Sequence, residues 1–292
     1  MKVFLTGATG YIGSAVAEAL QAAGHTVLGL ARSSEAEQAL REHDVEPAPG
    51  DLTKPDTLVD AVRASDAVIH AGTTNNGEQD QAAVAAMLTA REGSAKPFIY
   101  TSGVWVLGDT GGKLADEESP VNPAALVAWR PALEQLVLKS GGVVIRPAIV
   151  YGRGGGIPAG FVQAAREQGV AKYLGDGENR WPFVHVEDLA DLYAHALEQG
   201  QPGALFHAAD GPSVRVKDVA EAASFAGDGA GRVETWPLEQ ARGTLGALAD
   251  ALVLDQQVSA DKARKLLGWT PRGLPILDDL RYGSYAMPSV SP

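Results

Sequence analysis

Met1-Lys-Val-Phe-Leu-Thr-Gly-Ala-Thr-Gly-Tyr-Ile-Gly13 opens the chain, and its reading decides the fold. A short apolar run, Val3-Phe4-Leu5, halts at Gly7, Gly10 and Gly13; an amphipathic stretch follows, with Ile12, Val16, Ala19 and Leu20 at helical spacing. The order is strand, glycine turn, helix. Glycines at these places permit a sharp turn, a close approach of backbone to a pyrophosphate, and tight packing of helix on strand. The N–H groups at the start of such a helix, with the positive end of its dipole, suit it to phosphate oxygens. A side chain at Gly10 is expected to obstruct both the pyrophosphate and a left-handed turn.

Outward from this motif the first half alternates. Strands are predicted over 26–30, 45–48, 67–70, 98–101 and 142–145, with helices over 35–42, 56–63, 79–91 and 133–138. Continuous apolar strands between helices imply a parallel sheet covered on both faces, and right-handed crossovers make it doubly wound. The expected fold is α/β: a doubly wound parallel Rossmann sheet with a smaller C-terminal substrate-binding lobe. Residues 1–150 form the dinucleotide-binding domain in this reading, and 151–292 complete the sheet and build the lobe. Gly152-Arg-Gly-Gly-Gly156 reads as a mobile loop belonging to a substrate-side lid. A helix is expected over 186–199, and 238–254 is helix-forming with interruptions at Gly243 and Gly246.

At 292 residues with 45% hydrophobic content, the chain can bury a full core. No run approaches the roughly 20 apolar residues that span a bilayer, so no membrane partner is expected. Absence of Cys rules out disulfides and thiolate metal sites and fits a cytoplasmic home. The six His form no metal-ligand pattern, and no metal is expected. A net charge of −12 argues against nucleic acid as a partner. The expected partner is a small-molecule substrate; a homodimer is left open.

Thr6-Gly-Ala-Thr-Gly-Tyr-Ile-Gly13, Gly50-Asp51-Leu52, Arg146-Pro147 with Val150-Tyr151-Gly152, Val184-His-Val-Glu-Asp-Leu-Ala190 and Leu267-Gly-Trp-Thr-Pro271 are spread over the whole chain. In these segments the chain resembles the extended short-chain dehydrogenase/reductase family, also called the epimerase/dehydratase family. The resemblance implies a Rossmann fold and a nicotinamide dinucleotide held by Gly7, Thr9, Gly10, Tyr11, Ile12 and Gly13, with Asp51 and Leu52 beside the adenine. It leaves the reaction open, because the family includes epimerases, dehydratases, reductases and isomerases.

NAD-preferring enzymes usually end the second strand on an acidic residue, which binds the ribose hydroxyls. Here that end reads Leu30-Ala-Arg-Ser-Ser34, with no carboxylate. Arg32 can grip a 2′-phosphate and Ser33 can add a hydroxyl donor, so NADP is the expected cofactor.

The catalytic positions depart from the family. Typical members pair a Ser or Thr with Tyr-x-x-x-Lys, whose Lys lowers the Tyr pKa for proton exchange with a carbonyl. Counting back from Gly108 puts the usual Ser position on Gly103, with Ser102 one residue earlier. Aligning through Glu134 puts Arg130 at the Lys position and Leu126 at the Tyr position. Arg130 can bind the nicotinamide ribose as a fixed cation but is a poor proton shuttle. Pro131 suggests a helix starting near that point, with Trp129 and Arg130 at its entrance. Ser102 is then the first candidate catalytic group, orienting a substrate oxygen, and Tyr151 the second, as donor. Asp109, Asp116 and Glu117 are weaker acid–base candidates, and Trp105, Trp129 and Trp181 suggest an aromatic pocket.

The leading expectation is an NADP(H)-dependent oxidoreductase or isomerase acting on a small carbonyl-containing molecule. The alternatives are a non-catalytic NADP(H)-binding sensor, which the lost Tyr and Lys favour, and a sugar-nucleotide epimerase or dehydratase, which ordinarily needs that Tyr.

Overall fold

The computed structural model describes residues 1–286. Its centre is a seven-stranded sheet: β1 (Lys2–Thr6), β2 (Thr26–Ala31), β3 (Glu46–Pro49), β4 (Ala67–His70), β5 (Phe98–Thr101), β6 (Val143–Pro147) and β7 (Leu205–Ala208). All neighbours are parallel, in the order β7-β6-β5-β4-β1-β2-β3. β1 lies between β2 and β4, with Leu5 opposite both Gly29 and Ile69. The winding reverses there, which opens a crevice beyond the strands' carboxyl ends. The glycine turn follows β1 directly into that crevice.

Helices cover both faces because the strands are apolar on both. On one face α1 (Tyr11–Ala22) packs against α7 (Val186–Gln199). On the other, α4 (Gly77–Ala90) and α5 (Arg130–Lys139) cover Phe98 and Tyr100. The period-two alternation of β5 thus sends Phe98 and Tyr100 toward α5, and Ile99 and Thr101 toward α7. α5 starts at Arg130, with Trp129 at its N-cap and Pro131 in its first turn, as the proline predicts.

The sheet draws β7 from beyond residue 150, where it pairs with β6 through Phe206 opposite Ile145. A second core, with Phe161, Trp181, Phe183, Val219 and Ile276, builds the lobe. In it Ile149–Tyr151 runs parallel to Phe183–His185, and Ala171–Leu174 runs parallel to Val233–Trp236.

Three sequence expectations need correction. The glycine loop after Tyr151 is fastened rather than mobile. Tyr11 Oη donates to Gly152 O at 2.8 Å, Tyr285 Oη donates to Gly155 O at 2.6 Å, and Arg153 pairs with both Glu18 and Glu187. Trp181 is 2% exposed in the lobe core, donating Nε1–H to Leu252 O, and lines no substrate pocket. The helical stretch after Leu238 breaks at Gly246, whose φ is +56°, and runs through Gly243 without interruption.

Candidate functional site

Two clefts meet at Gly72 and Thr73 to form one trough along the carboxyl ends of the strands. The first, of about 430 Å³, is lined by Gly7, Thr9, Arg32, Ser33, Asp51 and Leu52. The second, of about 250 Å³, is lined by Ile12, Tyr100, Ser102, Trp105, Trp129 and Arg130 among others.

In the turn, Gly7 carries the left-handed backbone, with φ +74°, and a Cβ there would lie 2.8 Å from Ala71 O. A Cβ on Gly13 would lie 2.0 Å from Gly7 O, so its hydrogen lets α1 close on the turn. Gly10 differs from the expectation: its backbone is extended, with φ −87°, and a Cβ would meet only Gly7 O at 3.1 Å. Gly10 is exposed, and that one tight contact with a backbone oxygen is what the chain sets against a Cβ there. The N–H groups of Tyr11, Ile12 and Gly13 have no partner among the described residues. Those free donors, beside bare Gly10, fit a pyrophosphate. The Tyr11 side chain does other work, holding the Gly152 loop.

Arg32 stands exposed at the end of β2, without an ion-pair partner among the described residues. Ser33 caps α2 (Ser34–Glu42) by accepting from Ala36 N–H at 3.3 Å, and its side chain also bonds the Glu35 carboxylate, which holds that carboxyl below the usual range. Asp51 accepts from Thr53 N–H at 2.9 Å; that bond, with the charges of Arg32 and Lys54, holds its carboxyl below the usual carboxylate range.

In the second cleft Arg130 is central. Its Nη1 donates to Ser102 O at 2.7 Å, its guanidinium lies over the Trp129 ring at 5.3 Å, and its Nε is buried without a partner. A Cβ on Gly103 would lie 3.2 Å from Arg130 Nη1. The guanidinium therefore stands close to the place a side chain at Gly103 would take.

Two of the three sequence candidates for catalysis behave otherwise than expected. Ser102 lines the cleft, but its hydroxyl donates to Glu134, which is buried at 1% exposure and doubly bonded to Arg146. Its proton serves that network, and its oxygen alone faces any substrate. Tyr151 is fully buried, and its hydroxyl lies 2.7 Å from both Asp210 Oδ2 and Leu274 O. Burial and the Asp210 charge push its pKa far up. Tyr151 is a packing residue outside the cleft, its hydroxyl held by Asp210 and Leu274 O rather than offered to a substrate as the sequence suggests. Leu126, at the family Tyr position, is exposed at 41% on the turn before α5. Asp109, Asp116 and Glu117 also lie off the cleft, their carboxylates accepting from the N–H groups of Gly111, Glu118 and His207.

Sequence reasoning missed Tyr100 and the Thr101–Tyr193 hydroxyl pair, whose oxygens are 2.5 Å apart at the cleft wall. Both belong to β5 or its cover, and residues on a strand read first as core. The face alternation of β5 is the signal that could have placed Tyr100 toward Arg130. Behind Tyr100 stacks His70, at 5.9 Å between ring centroids and 18° between planes. Burial lowers the pKa of His70 to about 4 and keeps it neutral.

The comparisons agree with this architecture. The model of the NAD dependent epimerase/dehydratase family matches residues 3–209. An uncharacterized protein of Saccharomyces cerevisiae is 36% identical, over 96% of this chain and 98% of its own length. The 4-hydroxy-2-methyl-3-oxo-4-farnesyl-3,4-dihydroquinoline-1-oxide ketoreductase of Stigmatella aurantiaca is 27% identical, over 74% of this chain and 70% of its own. The structure of the Thermus thermophilus UDP-glucose 4-epimerase complex with NAD shares the fold, with a TM-score of 0.77, 20% identity, and coverage of 98% of this chain and 99% of that one. No helix among the described residues is long and apolar enough to cross a membrane. The family match over most of the sheet, the switch-point crevice and the glycine turn lead to one conclusion: this chain belongs to the NAD dependent epimerase/dehydratase family, the extended branch of the short-chain dehydrogenase/reductases.

Proposed function

We propose that this protein is an NADP(H)-dependent reductase of small carbonyl compounds. The observation that carries the reading is the continuous trough. At one end stand the bare phosphate-ready turn and an unpaired Arg32; at the other, an aromatic-walled cleft with a single guanidinium. When bound, the reduced dinucleotide supplies the hydride. Gly10 and the free N–H groups of Tyr11, Ile12 and Gly13 hold its pyrophosphate, Arg32 and Ser33 its 2′-phosphate, and Asp51 and Leu52 flank its adenosine. Arg130 binds on the carbonyl side as a fixed cation, and Trp105 and Trp129 exclude water around an apolar substrate.

The ketoreductase relative supports reduction as the reaction class. A sugar-nucleotide substrate fits less well, because among the described residues Arg130 is the sole Arg or Lys lining the second cleft and a diphosphate needs more. A silent sensor fits less well too, since it has no need of a cleft whose guanidinium keeps a buried Nε–H without a partner.

The test is a titration with NADPH and with NADH, followed by NADPH oxidation against a panel of activated ketones. Tighter binding of NADPH and turnover of at least one ketone are expected. A preference for NADH would sink the cofactor assignment. Tight NADPH binding with no turnover across the panel would favour the sensor.

A further inference from the structure

Among the buried tyrosines, one hydroxyl is uncommitted. Tyr151 donates to Asp210, Tyr193 is paired with Thr101, and Tyr285 donates to Gly155 O. Tyr100 is 2% exposed, lines the second cleft, and its hydroxyl has no hydrogen bond among the described residues. The ring is buried but the hydroxyl is not sealed off: it is not one of the fully enclosed polar atoms that lack a partner, so solvent or a ligand in the cleft can complete its bonding. Its ring is fixed from behind by stacking on neutral His70, whose Nδ1 is held by Thr6 Oγ1 at 2.7 Å. Both partners sit at the ends of central strands, so the phenol is placed by the sheet rather than by a loop.

We propose that Tyr100 is the proton donor of this enzyme, reaching the cleft from β5 and replacing the phenol that the helix lacks at Leu126. The inference rests on the reductase reading above. As the substrate carbonyl carbon takes hydride from the reduced dinucleotide, which is oxidised, the carbonyl oxygen takes the Tyr100 proton. The C=O π bond gives way to one C–H and one O–H bond, and solvent at the cleft mouth returns a proton to the phenolate. Arg130 is the nearby cation that steadies that phenolate. The charged and titratable groups acting on the phenol are Arg130, which favours ionisation, and Glu134, Asp80 and Tyr193, which oppose it; burial opposes it most. The phenol is thus held protonated, the form a donor needs, while burial weakens it as an acid and Arg130 offsets part of that loss.

The test compares wild type with Tyr100→Phe. The first measurement is binding of benzamide, an unreactive carbonyl analogue, to protein saturated with NADP⁺. The second is NADPH-dependent reduction of 1-phenylpropane-1,2-dione. The variant should bind benzamide about 5-fold more weakly, the equivalent of one lost hydrogen bond. Its kcat should fall roughly 10²–10⁴-fold, with NADP⁺ affinity and thermal midpoint preserved. Equal benzamide affinity in the two proteins overturns the proposal. If wild type and variant reduce the dione equally well, the reductase reading stands and Tyr100 falls. If benzamide binding weakens as expected but neither protein turns over, Tyr100 is confirmed as the cleft's donor to a carbonyl oxygen, and the reductase reading is what fails.

Discussion

The two ends of the trough are built in different ways. At the glycine-turn end the groups that face a ligand are backbone N–H groups from one short continuous stretch of chain and side chains that directly follow the ends of β2 and β3. At the Arg130 end the wall combines β5, the entrances of α4 and α5, and the end of β6, with every functional atom on a side chain. In the first, local sequence dictates geometry, so a departure from the pattern shows at once. In the second, contacts distant in sequence decide which atoms face the cleft and which are consumed by the core. Ser102 and Tyr100 show this: two residues apart in chain, one has its proton taken by Glu134 and the other keeps it.

The sharpest way to break the contrast is at the turn. Gly10→Val should leave the chain folded, with a modest drop in thermal midpoint from the tight contact of its Cβ with Gly7 O, yet weaken NADPH binding by roughly 100-fold or more by occupying the phosphate's space. Gly13→Ala should do the opposite and cost about 1–3 kcal/mol of stability or more, because its Cβ collides with Gly7 O. Calorimetric titration and thermal melts of both variants check it. Normal NADPH affinity in Gly10→Val would mean that this end of the trough is not the dinucleotide site.

Arg32→Ala comes next. Loss of a charge-assisted phosphate contact should weaken NADPH by about 1–3 kcal/mol, or roughly 5–150-fold, with NADH barely affected. Equal losses for both cofactors would mean that Arg32 touches a group they share.

What was legible follows the same division. β4, β5 and α7 fall on the residues predicted for them, because apolar runs and helical periodicity are local properties. β7 was not singled out: Leu205–Ala208 takes its place in the sheet by pairing with β6 far back in the chain. Among site residues, Gly103 and Arg130 were each legible as departures, but their connection was not. Only the fold shows that the guanidinium crowds the place a side chain at Gly103 would take. Tyr151 misled because a phenol near a strand end looks available until Asp210 and Leu274 O are seen to hold it.

Arg130→Lys tests the second end more gently. Lysine keeps the charge but loses the planar contact with Trp129 and the forked donor geometry that reaches Ser102 O. NADPH affinity should fall about 5-fold, with no new ionisation in the pH–rate profile. A new ionisation near neutral pH would show that the residue at 130 exchanges protons after all.

The smallest effect on activity is expected from Tyr151→Phe, and its signature lies in stability instead. Asp210 is buried, and burial raises its pKa from 3.8 to about 6, while the bond from Tyr151 pulls it down. A carboxyl raised on folding binds its proton more tightly in the native than in the unfolded chain. Its contribution is therefore fully present below the unfolded value and is lost as pH rises through about 6. Removing the phenol removes the group that favours the charged form, so the native pKa climbs further and the loss extends to higher pH. Tyr151→Phe should cost about 1–2 kcal/mol near neutral pH. The deficit relative to wild type should be smaller at pH 4.5 than at pH 8, with NADPH affinity and turnover unchanged at both. Thermal melts at the two pH values decide the matter: a deficit independent of pH would uncouple Tyr151 from Asp210, and a fall in turnover would return Tyr151 to the reacting end of the trough.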